Sequence, residues 1–264
     1  MDIELHEVIL KCMTLETEKG ERDVWEQPLT AFLTAEHPLL PELKKMVSHD
    51  HFLPSDLLPD AKSVIIFFIP FKSKIIESNL KGKAASVEWA KAYIFTNELI
   101  SVINDEIEKA LNQYGFQAKK VMATHNFDEK TLMSRWSHRH LAWIAGMGTF
   151  GINNMLITSN GCCGRFGSLV TNAGLSELGI STENSTVPPA EKCLNKINGS
   201  CGICRKKCPC GAYKEGGVFD RHECYKVCLE NAEHYKTFGL ADVCGKCLVG
   251  LPCSGREPSI KISR

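Results

Sequence analysis

Hydrophobic residues recur along the first two thirds of the chain with the periods of helices and strands. In the first ~20 residues they stand at Leu5, Val8 and Ile9, a spacing that predicts a helix. Residues 86–113 keep a three- and four-residue spacing over a longer stretch, which predicts a long amphipathic helix. Gly115 follows this stretch and is expected to end the helix in a left-handed conformation.

Runs of β-branched and aromatic residues predict strands between the helices. Residues 63–71 (SVIIFFIPF) are almost entirely apolar, which favours a buried strand at the centre of a sheet. Shorter strands are predicted at 116–124, 155–158 and 168–171, and a further helix is predicted at 131–145. Helices and strands interleave, so we expect a layered α/β domain.

The composition changes after residue 180. Residues 181–189 (STENSTVPP) are polar and end in two prolines, which is typical of a linker. Cysteine and glycine are frequent beyond this point, and long periodic runs stop. We therefore expect two domains, an α/β domain at residues 1–185 and a smaller cysteine-rich domain at residues 186–264.

The net charge and the amino-terminal residues limit the classes of protein to which this chain is expected to belong. The 264 residues include 31 Lys and Arg and 31 Asp and Glu, so no overall field favours nucleic acid or an anionic membrane. The start MDIELHEVIL carries acids where a signal peptide carries Lys or Arg. The most apolar run, residues 64–71, is far shorter than the ~20 residues that cross a bilayer. We expect a soluble, cytoplasmic protein without a membrane partner.

Cysteine is the unusual residue type. Ten of the 13 cysteines lie between Cys193 and Cys253. In a reducing cytoplasm, clustered cysteines hold metal more often than they form disulfides. Cys201, Cys204 and Cys208 form a C-x2-C-x3-C-P motif, and in bacterial ferredoxins the last cysteine of such a motif ligates the other cluster. The spacing therefore predicts two [4Fe–4S] clusters and a role in electron transfer.

Eight cysteines supply the ligands that two such clusters require. We expect the first cluster on Cys193, Cys201, Cys204 and Cys253. We expect the second on Cys208, Cys224, Cys244 and Cys247. Cys210 and Cys228 are close competitors for these positions, and with Cys12 they are otherwise expected to be packing residues. Structural zinc is the alternative, because paired C-x2-C units also bind zinc through four thiolates.

These segments resemble a known family. Residues 193–212 (CLNKINGSCGICRKKCPCGA) and 244–253 (CGKCLVGLPC) resemble the double-cluster carboxy-terminal domain of epoxyqueuosine reductases. Residues 146–157 (GMGTFGINNMLI) resemble the glycine-rich stretch of their cobalamin-binding domain, and residues 165–171 (RFGSLVT) stand where the next strand is expected. The family is similar in architecture to the corrinoid reductive dehalogenases. The resemblance covers residues 60–264 in the order of elements.

The resemblance implies an α/β (α+β) amino-terminal domain of the cobalamin-reductase type and a ferredoxin-like carboxy-terminal domain with two clusters. It implies an oxidoreductase in which ferredoxin or flavodoxin supplies electrons, and the clusters pass them to a base-off cobalamin that reduces a substrate. A tRNA-linked substrate or a corrinoid partner protein is expected from the same resemblance. The expected cobalamin contacts are Gly148, Gly151, Asn153, Arg165, Gly167 and Ser168.

The sequence also departs from the family. Leu132 stands where the family has a catalytic aspartate, Asn198 replaces its usual first cluster cysteine, and Ser254 follows Cys253 in place of proline. These departures mark a divergent relative and leave the substrate open. His138 or Arg135, in the segment SRWSHRH, is the expected proton donor. The alternative is a solvated helix face with a locally satisfied histidine.

Other interpretations remain open at this point. The GxGxxG pattern follows a predicted helix and not a strand, so a dinucleotide site is not expected. The amino-terminal domain could hold flavin or no cofactor. Cys162 and Cys163 are expected to be loop thiols without a role. The second hypothesis for function is an electron carrier, or a redox activator of a partner corrinoid protein, without substrate chemistry of its own.

Overall fold

The computed structural model describes residues 4–20, 22–181 and 189–259. Within these ranges the chain forms nine α-helices and six strands. The helices are α1 (Leu5–Gly20), α2 (Leu43–Met46), α3 (Pro54–Leu57), α4 (Ser73–Ser78), α5 (Val87–Asn112), α6 (His138–Ile144), α7 (Leu194–Asn198), α8 (Ile203–Lys206) and α9 (Arg221–His234). The strands are β1 (Leu29–Thr34), β2 (Ser63–Pro70), β3 (Ala118–Lys120), β4 (Gly148–Phe150), β5 (Leu156–Thr158) and β6 (Gly164–Thr171).

Four strands form the central sheet in the order β1-β2-β6-β3, and every neighbouring pair is antiparallel. The strands β4 and β5 form a separate two-stranded hairpin. The expectation of a mixed helix and sheet architecture is therefore confirmed, and the antiparallel pairing places the fold on the α+β side of that description.

Strand β2 lies at the centre of the molecule. All eight of its residues are buried, as the uninterrupted apolar run predicts. Its side chains alternate between two hydrophobic clusters, with Ile65 and Phe67 on one face of the sheet and Ile66 and Phe68 on the other. Helices α1, α4 and α5 cover the first face, and α2 and α6 cover the second. Each large aliphatic or aromatic side chain buried in this way contributes roughly 1.5–3 kcal/mol.

Helix α5 supplies the main cover of the first face. Ser86 caps its start, because its hydroxyl accepts a hydrogen bond from the backbone N–H of Trp89 at 3.1 Å. The buried side chains of α5 follow the predicted stripe, and Gly115 beyond its end adopts a positive φ of 80°. The helix predicted at residues 86–113 is confirmed within one residue at each end.

The cysteine-rich part of the chain packs closely against this layer. The hydroxyl of Tyr93 donates to Asp242 at 2.7 Å, and the amide of Asn79 donates to the carbonyl of Cys244 at 2.9 Å. The buried ammonium of Lys246 donates to the carbonyls of Asn79 and Lys81. The predicted boundary between residues 185 and 186 lies outside the described residues, and the two-domain division stays a prediction.

Several elements differ from the sequence prediction. The helix predicted at 131–145 is shorter, because α6 begins only at His138, and residues 127 and 134 form a β-bridge that closes a loop. Strand β1, strand β4 and helix α9 were not predicted. Helix α9 lies mostly at the surface and buries only Asn231, so its apolar pattern is weak. Within the described ranges, none of the helices combines the length and the apolarity needed to cross a membrane.

Gly167 allows β6 to pack against β2 and α5. A Cβ at this position would lie 2.3 Å from the ring of Phe67 and 2.9 Å from Ile100. We expect Gly167→Ala to lower the free energy of unfolding by about 1–3 kcal/mol, because an added methyl group overpacks the core. Urea unfolding followed by circular dichroism measures this loss.

Gly174→Ala is the control for this substitution. A Cβ at Gly174 would meet only the end of the flexible Glu177 side chain, so we expect little change in stability. Equal stability of the Gly167→Ala variant and the unmodified protein would contradict the packing role.

Candidate functional site

The four cysteines expected at the first cluster line one cavity. Helices α7 and α8, strand β5 and the last described loop contribute to its walls. Burial, together with the neighbouring thiols of Cys253, Cys201 and Cys193, raises the pKa of the Cys204 thiol to about 11. Thiolates in this cavity therefore require a positively charged partner.

The four cysteines expected at the second cluster line a larger cavity of about 340 Å³. Burial raises the pKa of the Cys247 thiol to about 12, with nearby thiols adding to the effect. Aromatic side chains form much of the wall: Phe71, Trp89, Tyr93, Phe127, Tyr213, Phe219 and Tyr225. The cavity is thus an apolar, low-dielectric site that contains several thiols.

Two further thiols, Cys210 and Cys228, lie in the second cavity. The Sγ atoms of Cys208 and Cys210 are 3.6 Å apart. Cys224 and Cys228 lie one turn apart on α9, and a hydrogen bond with Cys228 lowers the pKa of Cys224. Cys224 is therefore the more acidic thiol of this pair. The structure brings together the residues of each expected ligand set, and their assignment as ligands stays a prediction.

The spacing of the thiols bears on the zinc alternative. Among residues 4–20, 22–181 and 189–259, no three His, Cys, Asp or Glu side chains are arranged to hold a single metal ion. Zinc needs its thiolates at about 2.3 Å from one centre. A cubane binds its four thiolates at separate iron corners and so calls for wider spacing. The choice between iron–sulfur clusters and zinc stays a prediction.

Asn153 links the two cysteine cavities. Its side chain is 2% exposed, lines the first cavity and donates a hydrogen bond to the carbonyl of Cys247 at 3.1 Å. Its backbone carbonyl accepts a hydrogen bond from the hydroxyl of Tyr213, which lines the second cavity. Gly151 also lines the first cavity. Both residues were expected to bind cobalamin, and the structure places them beside the cysteines.

A third cavity, of about 280 Å³, adjoins the second one. The two share Met155, Gly164 and Arg165 in their walls. The described residues that line the third cavity include Arg139 and Arg165 but neither Asp nor Glu. This cavity is therefore electropositive and suits an anionic or strongly hydrogen-bonding ligand.

Arg165 occupies the junction of the second and third cavities. Its guanidinium lies 4.2 Å from the ring centroid of Tyr93, a cation–π contact. Its Nε atom is buried and has no hydrogen-bond partner within the described structure. An unpaired buried donor is costly, so this group is a good candidate to bind a ligand. Of the six expected cobalamin contacts, Arg165 is the one that faces this space.

Gly148, Gly167 and Ser168 have packing roles. A Cβ at Gly148 would lie 2.1 Å from the carbonyl oxygen of Ile157, across the β4–β5 hairpin. Gly167 faces Phe67, as described above. The Ser168 hydroxyl is buried between Trp136 and His138 and is hydrogen-bonded to both. These three positions face protein and not an open cavity.

His138 is buried and fully hydrogen-bonded. Its Nδ1 lies 2.8 Å from the Ser168 hydroxyl, and its Nε2 lies 3.0 Å from the carbonyl of Met122. Burial lowers the pKa of His138 to about 4. Near neutral pH the ring is uncharged, and a carbonyl already accepts a hydrogen bond from it. This is the geometry of a locally satisfied histidine, and the catalytic role stays an untested prediction.

Arg135 lies apart from the third cavity. It is exposed and lines a shallow groove together with Asp128 and Glu129. The Asp128 carboxylate accepts hydrogen bonds from the backbone of Lys130 and from Thr131, which lower its pKa. The carboxylate of Asp128, four residues before Leu132, is thus held within its own turn.

Arg139 and Cys162 are the residues that sequence reasoning missed. The Arg139 guanidinium donates to the carbonyl of Asn154 at 2.6 Å inside the third cavity. Cys162 lines the same cavity, and its backbone N–H donates to the carbonyl of Cys253 at 2.9 Å. The basic segment SRWSHRH and the GCCG loop stand out in the sequence. The sequence does not indicate which of their residues faces the cavity.

Solved structures of known proteins are similar to this fold, whereas comparisons of the sequence alone find no match. No family model matches the sequence, and no curated protein matches it significantly. An epoxyqueuosine reductase from Bacillus subtilis is similar over 95% of this chain and 70% of its own, at 18% identity and a TM-score of 0.55. One with a tRNA-Tyr epoxyqueuosine-modified stem loop matches over 95% and 68%, at 18% identity and a TM-score of 0.54.

A reductive dehalogenase is similar over a smaller share of its length. A catabolic enzyme of this class, solved with 3-bromo-4-hydroxybenzoic acid, matches 87% of this chain and 30% of its own, at 15% identity and a TM-score of 0.57. Identities this low establish the fold. The resemblance to epoxyqueuosine reductases is thus confirmed at the level of the fold.

The buried state of His138 predicts a pH dependence of stability. Its pKa is about 4 in the folded chain and about 6.5 in the unfolded chain. The unfolded chain therefore binds more protons between these values, and stability falls as the pH decreases from 6.5 to 4. Urea unfolding at several pH values measures the slope.

We expect His138→Gln to have a shallower slope than the unmodified protein, because glutamine offers a donor and an acceptor without titrating. His140, whose pKa is also lowered to about 4 by burial, still contributes to the slope in that variant. Identical slopes for the two proteins would show that His138 does not remain neutral.

Proposed function

We propose that this protein is an iron–sulfur oxidoreductase that resembles epoxyqueuosine reductase. In this proposal two [4Fe–4S] clusters pass electrons to a bound cobalamin, and an unidentified substrate is reduced. The observation that carries the proposal is the partition of the eight expected cysteines between two neighbouring cavities, the second of which adjoins the arginine-lined third cavity.

The third cavity and the adjoining part of the second offer hydrogen-bond donors for cobalamin. The second cavity, of about 340 Å³, lies within the range of roughly 300–1,000 Å³ of ordinary small-molecule pockets. Arg165 and Arg139 would hold the phosphate or amide oxygens of the cofactor. Both nitrogens of His138 are occupied by hydrogen bonds within the protein. When bound, cobalamin would supply a low-potential cobalt centre for reduction.

The protein's own residues contribute positioning and exclusion of water. The aromatic wall of the second cavity shields the thiols, and a low dielectric strengthens the electrostatic effect of the arginines. Neither His138 nor Arg135 offers a free proton to the third cavity in the observed arrangement. The source of the proton therefore stays open, as the replacement of the family's aspartate by Leu132 implies.

The substrate and partners remain part of the proposal. A similar protein has been solved with a tRNA stem loop, which supports a tRNA-linked substrate as one candidate. The expected electron donor is ferredoxin or flavodoxin, and the expected location is the cytoplasm. The alternative function is an electron carrier or an activator of a partner corrinoid protein. The lack of a carboxylate in the third cavity favours this alternative.

Metal analysis tests the clusters. We expect about eight irons and eight sulfides per chain after anaerobic purification. We expect Cys204→Ser to lose about four irons, because it removes a ligand of one cluster only, and Cys12→Ser in α1 to lose none. Iron and sulfide assays with electron paramagnetic resonance measure both. Zinc in place of iron would contradict the proposal.

Spectral titration with cobalamin tests the third cavity. We expect the protein to bind cobalamin, and we expect Arg165→Met to weaken binding about tenfold, since a charged hydrogen bond contributes about 1.5–3 kcal/mol. Arg22→Met is the control, because Arg22 pairs with Glu16 and Glu98 away from the cavities. Intact clusters without cobalamin binding would favour the carrier or activator function.

A further inference from the structure

The chain is electrically balanced, but the segment around the first cysteine cavity is not. Residues 192–214 contain six Lys and Arg and no Asp or Glu. This segment carries Cys193, Cys201, Cys204 and Cys208, half of the expected cluster ligands. A cationic segment therefore coincides with the expected electron path.

Helices α7 and α8 contribute residues both to the first cavity and to the exposed surface. On the inner side, Leu194, Asn195 and Cys204 line the first cavity. On the outer side, Ile197 is 36% exposed and Ile203 is 39% exposed. Helices α7 and α8 therefore form part of the wall between the first cavity and the surface.

Arg205 and Lys206 of α8 are also exposed. Within the described part of the chain, neither is paired with an acid, whereas Lys192 pairs with Glu257 and Lys196 with Glu191. We define the α7–α8 patch by its four exposed side chains: Ile197, Ile203, Arg205 and Lys206. The patch combines two free cations with two exposed aliphatic groups.

We propose that the α7–α8 patch is the docking surface for an acidic electron-carrier protein that reduces the first cluster. This inference rests on the proposed function. The carrier loses one electron and the cluster gains it, and no bond or proton changes place. Cationic groups over the entry point attract an acidic carrier and raise its association rate, and the isoleucines provide the apolar contact of a small, transient interface.

Cations also attract RNA, but the position and composition of the patch favour a protein carrier. The patch contains aliphatic and not aromatic side chains, whereas aromatic side chains stack on unpaired bases. It covers the first cysteine cavity, and the third cavity, where an RNA-linked substrate would react, has a different set of wall residues.

The test compares two double variants with the same change of charge. Arg205→Glu/Lys206→Glu alters the patch. Lys44→Glu/Lys119→Glu alters two exposed lysines on α2 and β3. Each protein is mixed with a reduced, acidic [2Fe–2S] ferredoxin in a stopped-flow instrument, and reduction of the clusters is followed at several salt concentrations. Dithionite replaces ferredoxin in a parallel series.

We expect the patch variant to be reduced by ferredoxin at least about tenfold more slowly at low salt, because electrostatic steering changes association rates by roughly 10–10³-fold. We expect the unmodified protein and the lysine control to be fast and to slow down as salt increases. All three proteins should react equally with dithionite and contain equal iron.

Two results would overturn the docking proposal while leaving the proposed function intact. They are an unchanged rate in the patch variant and an equal loss in both variants. Weaker binding of a tRNA stem loop to a patch variant whose rate is unchanged would show that the patch binds RNA instead. A wild-type protein without iron would overturn the proposed function and the docking proposal together. If the protein contains clusters but binds no cobalamin, the docking test remains valid. Such a result contradicts only the cobalamin part of the proposed function.

Discussion

The desolvation of thiols governs the organisation of this protein. Ten cysteines lie within the last third of the chain, and burial raises the pKa of Cys204 to about 11 and that of Cys247 to about 12. Several thiolates cannot share such cavities unless a positive centre offsets their charge. In the proposed function, iron–sulfur clusters provide that centre, and cluster binding and folding of this region are then expected to be coupled. The remaining contacts of the region serve to hold the two cavities side by side.

The central sheet fixes where those cavities stand. Strand β2 is buried on both faces, and β6 pairs with it along its whole length. The loop before β6 carries Cys162 and Cys163, whose backbone N–H groups bond to the last described loop, and β6 itself begins with Gly164 and Arg165. A single rigid strand therefore links the cysteine loop to the arginine at the junction of the second and third cavities.

Some of this arrangement was predictable from the sequence, and the reason differs from element to element. The centre of the sheet and the long helix α5 follow from periodicity, because burial of β2 and of one side of α5 leaves a strong pattern. The grouping of cysteines follows from spacing. Strand β1 and helix α9 leave weak patterns, since most β1 residues are only half-buried and α9 is largely exposed. Whether Arg135 or Arg139 faces a cavity depends on the loop at residues 125–135, which no local pattern specifies.

The third cavity places a limit on the chemistry that this chain performs by itself. Two guanidinium groups and no carboxylate line it within the described structure, and the buried His138 stays neutral. Arginine does not release its proton near neutral pH. A reduction that consumes a proton therefore has neither a carboxylic acid nor a charged histidine in this cavity as its donor. A cavity of this composition favours transfer of electrons and binding of anions over general acid catalysis by a carboxylic acid.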